Sequence, residues 1–116
     1  MSVSIVYEDV EILDENPEFF VSWLTKVCKD EQRYLSELAL VFCSDEYLLD
    51  VNRKFLQHDY YTDIITFDYS EEERISGDLL ISLERVKDNA KKEGVTFKAE
   101  LYRVVVHGVL HLIGYD

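Results

Sequence analysis

The feature that most limits the fold is the stretch from Phe97 to Ile113, where Leu101, Val104, Val105, Val109 and Leu112 recur so densely that a helix built from it keeps little polar surface. Thr96 supplies an N-cap and Gly114 a stop. A helix that is apolar on most sides is buried rather than laid on a surface, so this one must be central, with the rest of the chain packed around it.

The remaining segments divide into strands and helices. Val3 to Glu8 alternates like a strand, and Pro17 then opens a helix whose Phe20, Trp23, Leu24 and Val27 share one face. Leu38 to Cys43 is a continuous apolar run of strand length, and Ser44 caps a helix carrying Tyr47, Leu48, Val51, Asn52 and Phe55. Gln57-His58-Asp59-Tyr60-Tyr61 breaks that helix. Asp63 to Tyr69 and Asp78 to Leu83 read as strands that neighbour each other in the sheet, joined by a polar turn from Ser70 to Gly77. A helix starting near Leu83 ends at Gly94. The order β-α-β-α-β-β-α-α predicts an α+β fold, with helices packed on a mixed sheet of about four strands. With no repeat or linker, residues 1–116 are expected to form one domain.

No apolar run approaches the roughly 20 residues of a membrane span, and Met1-Ser2-Val3-Ser4 does not begin an export signal, so a soluble cytoplasmic protein is expected. Cys28 and Cys43 form no Cys-x-x-Cys pair and are expected to be free, buried thiols. A net charge of −12 argues against a simple nucleic-acid clamp. The acidity is uneven, however: residues 85–116 are net positive by two, and Lys91, Lys92, Lys98 and Arg103 offer a surface to a polyanion. A solvated helix face of mixed charge accounts for them equally well. If they track an RNA backbone, binding must weaken steeply with salt.

His107 and His111 lie four apart on the last helix, one turn above the other, so both imidazoles can reach one Zn²⁺ at about 2.0–2.1 Å. The plainer reading is a pair of hydrogen-bonded core imidazoles in a metal-free helix. Two features favour the metal: an unpaired imidazole on so apolar a helix is costly, and Gly114 lets the chain reverse to return a further donor. In the His-Glu-x-x-His-x-x-Gly-x-x-His arrangement of metzincin proteases the third ligand falls three residues after the Gly. Here that place is the first position after Asp116, so the chain is expected to be truncated just before its third ligand. His58 and Asp116 are further donors that spacing does not single out. A zinc protease also needs a Glu directly after the first His to take a proton from water, and Gly108 stands there, which disfavours peptide hydrolysis.

From His107 through Asp116 the chain resembles the His-Gly-x-Leu-His-Leu-x-Gly-Tyr-Asp-His signature of the YbeY family, bacterial single-strand-specific endoribonucleases implicated in ribosomal RNA maturation and ribosome quality control. Asn52, Phe55, Asp59 and Thr62-Asp63-Ile64-Ile65-Thr66-Phe67 are similar to a second family stretch, Asn-x-x-Tyr-Arg-x-x-Asp-x-Pro-Thr-Asp-Val-Leu-Ser-Phe. Gly77-Asp78-Leu79-Leu80-Ile81-Ser82 is similar to its Gly-Asp-Ile-x-Ile-Ser strand. The resemblance implies an α+β fold and one Zn²⁺ per chain held by three His: His107, His111 and one just after Asp116. It also implies hydrolysis of RNA phosphodiester bonds, with ribosomal RNA and ribosomal proteins as partners.

Two departures bear on catalysis. Leu56 replaces the family's Arg, and Tyr61 replaces the Pro before Thr62. Loss of a cation beside a polyanion removes charge-assisted hydrogen bonds to phosphate. Either Arg53 or Lys54 substitutes from a neighbouring turn, or the activity is weaker or differently directed. Asp63 and Asp78 are candidate catalytic bases or outer hydrogen-bond acceptors, with turn or strand-end capping as their ordinary role. Thr62 and Thr66 have the same ordinary alternative. The main rival reading is a non-catalytic ribosome-assembly factor that uses zinc to brace the last helix; a metalloprotease is a weaker one.

Overall fold

The computed structural model describes residues 2–115. The elements follow the expected order: β1 Ser2–Tyr7, α1 Pro17–Asp30, β2 Tyr34–Cys43, α2 Asp45–Phe55, β3 Ile64–Asp68, β4 Arg74–Ser82, α3 Leu83–Glu93 and α4 Phe97–Ile113. The local signals that start and stop the helices are all used. The Ser44 hydroxyl accepts from the Tyr47 amide and the Thr96 hydroxyl from the Ala99 amide, each at 3.1 Å. Gly94 closes α3 in the left-handed conformation, with φ of 69°.

The strands form one open sheet in the order β1-β2-β4-β3. β1 runs parallel to β2 and β2 parallel to β4, whereas β3 is antiparallel to β4, so the sheet is mixed. Strand alternation divides the core. Leu40 and Phe42 of β2 and Ile75, Leu79 and Ile81 of β4 pack with Phe20 and Leu24 of α1, Val86 of α3, and Val105, Val109 and Leu112 of α4. On the other face Cys43, Ile65 and Leu80 meet Leu48 of α2. Both cysteines are free and buried, and burial pushes the Cys28 thiol up to about 11 and the Cys43 thiol up to about 12.

Two strand boundaries differ from expectation. β2 begins at Tyr34 rather than Leu38, and β4 at Arg74 rather than Asp78. The connection between β3 and β4 is far shorter than a turn from Ser70 to Gly77: Glu71 bridges Arg74, and Glu72 takes a positive φ of 53°. Arg74 to Gly77 then continue the ladder, Arg74 opposite Tyr34 and Gly77 opposite Asp68.

α4 is central, as its composition requires, and two glycines set how closely it sits. A Cβ on Gly108 would lie 2.7 Å from Ile64 Cδ1 and 3.0 Å from Leu79 Cδ1, and one on Gly77 would lie 3.0 Å from Leu112 Cδ1. The helix is not buried all round, however. Arg103, His107 and His111, spaced by four, are exposed along one stripe. The expectation that an apolar helix makes an unpaired imidazole costly is therefore corrected: both histidines are exposed, so burial imposes no such cost on them.

Candidate active site

His111 lines a pocket of about 330 Å³ together with Asn52 and Leu56 at the end of α2, His58, Tyr60 and Thr62 in the α2–β3 loop, and Ile64 and Thr66 of β3. His107 is exposed one turn earlier on the same stripe of α4, about 6 Å back along the helix axis at 1.5 Å per residue. The two outer segments of the sequence that carry chemical side chains thus meet across the edge strand β3.

The pocket wall opposite α4 is held by Asn52, whose side chain is buried. Its side-chain amide donates to the Tyr60 carbonyl at 2.9 Å, and its main-chain carbonyl accepts from the amides of Leu56 and His58 at 3.1 Å each. Gln57, between those two amides, is turned by a positive φ of 57°. Tyr61 is drawn to the other side of the loop. Its hydroxyl donates to Glu46 at 2.6 Å, which raises the phenol's pKa, and the Arg85 guanidinium lies 5.4 Å over its ring. Arg85 is held in turn by Asp45 at 2.8 Å, and that carboxylate also accepts from the buried Ser82 hydroxyl at 2.6 Å. The loop is therefore anchored at both flanks, and His58 and Tyr60 project between the anchors.

The other candidates are distributed differently. Asp63 lies at the entry to β3, where its carbonyl accepts from the Ser82 amide at 3.0 Å and its carboxylate from Asn89 at 3.5 Å. Asp78 points to the opposite face of the sheet from α4; it accepts from the Tyr69 hydroxyl at 3.2 Å and lines a separate groove with Tyr47, Val51 and Phe67. Neither carboxylate lines the pocket with His111, because residues 77 and 79 of β4 face α4 and residue 78 cannot.

The proposed cations are mostly engaged locally. Arg53 pairs with Asp59, Lys54 with Asp50 at 3.1 Å, and Lys92 with Asp88 at 3.4 Å. Lys98 lies 5.7 Å over the Tyr102 ring, and Lys91 is exposed on α3. Arg103 grips Glu100 with two hydrogen bonds, of 2.9 and 2.6 Å, and holds that carboxyl below its ordinary range although it is only 2% exposed. Neither Arg53 nor Lys54 reaches the pocket in place of the family's Arg, and Leu56 makes that corner apolar.

The donor chemistry fits a metal in part. Two solvent-facing imidazoles one turn apart could supply two donors to one metal ion. Among the described residues no three His, Cys, Asp or Glu are grouped closely enough to hold an ion. Asp116, one of the further donors considered, lies outside the described residues. Gly108 also closes the protease route: its Cα faces Ile64 and Leu79, so a side chain there would enter the core rather than reach the site.

Sequence reasoning left His58 as a spare ligand and passed over Tyr60. The signal was present, since a loop rich in polar residues otherwise has little use for an imidazole and two phenols in succession.

Comparison with known proteins places the chain in a family. A family model described as Endoribonuclease YbeY matches residues 4–116. An Endoribonuclease YbeY from Bacteroides thetaiotaomicron is 47% identical over 114 residues, which cover 98% of this chain and 83% of that protein. One from Cytophaga hutchinsonii is 58% identical over 95 residues, covering 81% of this chain and 66% of that protein. The solution structure of TM1509 from Thermotoga maritima superposes with a TM-score of 0.63 at 26% identity, covering 98% of this chain and 73% of that one. The chain belongs to the endoribonuclease YbeY family.

Proposed function

We propose that this protein is a zinc-dependent endoribonuclease that cuts single-stranded RNA during ribosomal RNA maturation and ribosome quality control, with residues 1–116 acting as one hydrolase domain. The observation that carries the reading is the shared pocket. His111, with His107 a turn behind it, looks across β3 at an anchored loop, in a chain of the endoribonuclease family. Cytoplasmic action beside ribosomal proteins follows from that role, and among the described residues no helix is long and apolar enough to cross a membrane.

In this reading His107 and His111 hold one Zn²⁺ with a third donor supplied from just beyond Asp116. When bound, the metal supplies an electrophile for phosphoryl oxygens and acidifies water toward neutrality. The chain's own part is positional. Gly108 and Gly77 let α4 approach the sheet closely, which supports a fixed position for the helix that carries the two imidazoles. Asn52 fixes the far wall, and Thr62 and Thr66 present hydroxyls between the two. Thr62 already donates to the Ile64 carbonyl at 3.3 Å, which leaves its lone pairs for a ribose or phosphate donor. A strand edge, a loop and one helix face leave the pocket open at the side, as a polymer substrate requires.

The rival reading, a zinc-braced assembly factor without catalysis, calls for a closed four-ligand shell with no exchangeable water. The exposure of both imidazoles fits an open position better. The test is cleavage of a labelled single-stranded oligoribonucleotide by the full-length protein, alongside its zinc content. Cleavage that disappears on chelation, returns with Zn²⁺ and is lost in His111→Ala supports the reading. Cleavage indifferent to both treatments, or a full-length protein that takes up no stoichiometric zinc, refutes it.

A further inference from the structure

We infer that the stacked pair His58–Tyr60 is a nucleobase shelf, on which the substrate is held through one of its bases rather than chiefly through its phosphates. The inference rests on the endoribonuclease reading and specifies how that site takes hold of RNA.

Three observations meet here. First, the overall charge opposes a polyanion. The protein carries a net charge of −12, and Arg53 and Lys54, the cations nearest in sequence to the pocket loop, each have a carboxylate partner. A chain of that charge gains from a source of affinity other than its cations. Second, the pocket offers one. The His58 and Tyr60 rings lie 5.1 Å apart at 19°, and the Tyr60 hydroxyl and His58 Nδ1 share a 2.9 Å hydrogen bond. The two rings are stacked and tied to each other by that bond. Tyr60 remains 56% exposed, and both rings line the pocket that His111 enters. Third, the shelf is built in advance. Asn52 holds the Tyr60 carbonyl, and the neighbouring Tyr61 is tied down by Glu46 and Arg85, while the His58–Tyr60 pair lines the pocket.

Exposed aromatic rings beside a reactive site are how proteins hold single-stranded nucleic acid without reading its sequence, because every base has a π-face. Apolar Leu56 at the same corner suits the face of a base better than a phosphate.

The test is binding with metal chelated, measured by fluorescence anisotropy on a labelled oligouridylate and on a ribose-phosphate strand of equal length and charge but lacking bases. Tyr60→Ala is a clean variant, since the Asn52 anchor uses the Tyr60 main-chain carbonyl and survives the change. Loss of one stacked base weakens affinity by roughly 5- to 100-fold. That loss is expected for Tyr60→Ala on the oligouridylate, with recovery in Tyr60→Phe, and for the wild type on the base-free strand. Tyr60→Ala should bind the base-free strand no more weakly than the wild type does. Equal affinity of wild type and Tyr60→Ala for the oligouridylate overturns the shelf, as does equal affinity of the wild type for both strands. If the zinc-loaded wild type still cuts RNA in that case, only the shelf falls; if the wild type neither binds nor cuts RNA, the endoribonuclease reading falls with it.

Discussion

The seating of α4 can be tested by adding single methyl groups at its two contact glycines, where the structure predicts unequal costs. At Gly77 an added Cβ would lie 2.5 Å from the main-chain oxygen of Phe67, and 3.0 and 3.2 Å from the two terminal carbons of Leu112. Ordinary carbon–oxygen contacts between strands begin near about 3.3 Å, so the intrusion is roughly 0.8 Å. The Phe67 oxygen cannot retreat, because β3 is paired with β4 residue by residue from Ile64 to Asp68. Overpacking costs about 1–3 kcal/mol, and a main-chain obstacle belongs at the upper end. Relief of glycine's entropy cost returns about 0.5–1 kcal/mol, leaving Gly77→Ala destabilised by about 2 kcal/mol. At Gly108 the obstacles are the tips of Ile64 and Leu79, at 2.7 to 3.2 Å, and side-chain tips can turn. The gain of about 1 kcal/mol from replacing a helix-interior glycine offsets most of that clash, so Gly108→Ala should fall within about 1 kcal/mol of the wild type. Urea denaturation with unchanged m-value reads both, and Gly77→Ala should lower the midpoint by about 1 M or more. If Gly108→Ala proves the costlier change, or Gly77→Ala lies within about 0.5 kcal/mol of the wild type, the close seating of helix on sheet is refuted.

Other substitutions probe the remaining supports. Asn52→Ala should cost about 1–2 kcal/mol and speed hydrogen exchange and proteolytic nicking across residues 56–62, since it removes the amide bonded to the Tyr60 carbonyl. Arg103→Gln strips the partner from a buried carboxylate and should cost about 1–3 kcal/mol at pH 7, read by denaturant titration. Because Arg103 holds the Glu100 carboxyl below its ordinary range, that stability is complete above the range and lost as pH falls through the folded value. The gap between wild type and variant should therefore narrow as pH falls below the ordinary carboxylate range. Cys28 and Cys43, with thiols pushed up to about 11 and about 12, should resist a disulfide reagent at pH 8 in the native protein and react at once after unfolding.

Where local chemistry decides a feature, it could be read in the residues alone. Pro17, Ser44, Thr96, Gly94 and Gly114 mark helix ends because capping needs only a few neighbouring atoms, and each does so in the structure. Where tertiary pairing decides, reading failed. Tyr34 to Glu37 and Arg74 to Gly77 carry too few apolar residues to announce themselves, and they become strand because each finds the other across the ladder. The local pairing of the cations was legible too: Asp50–Lys54 and Asp88–Lys92 are four apart and Glu100–Arg103 three apart, the spacings at which helical ion pairs form.

The histidines expose a different gap, between how many apolar residues a helix has and where they point. At 100° per residue, positions 103, 107 and 111 fall within an arc of about 80°, so a helix can be apolar over most of its circumference and still keep one stripe in water. Counting could not distinguish that stripe from a buried pair; the contacts of Gly108 with Ile64 and Leu79, with those of Leu112 at Gly77, show which side of α4 meets the sheet. The same contacts fix the parity of β4, turning Leu79 toward the helix and Asp78 away from it, which separates that carboxylate from the histidines. One close approach thus sets the exposure of the imidazoles and the emptiness of the protease-base position. It also leaves the loop carrying His58 and Tyr60 as the wall that faces His111.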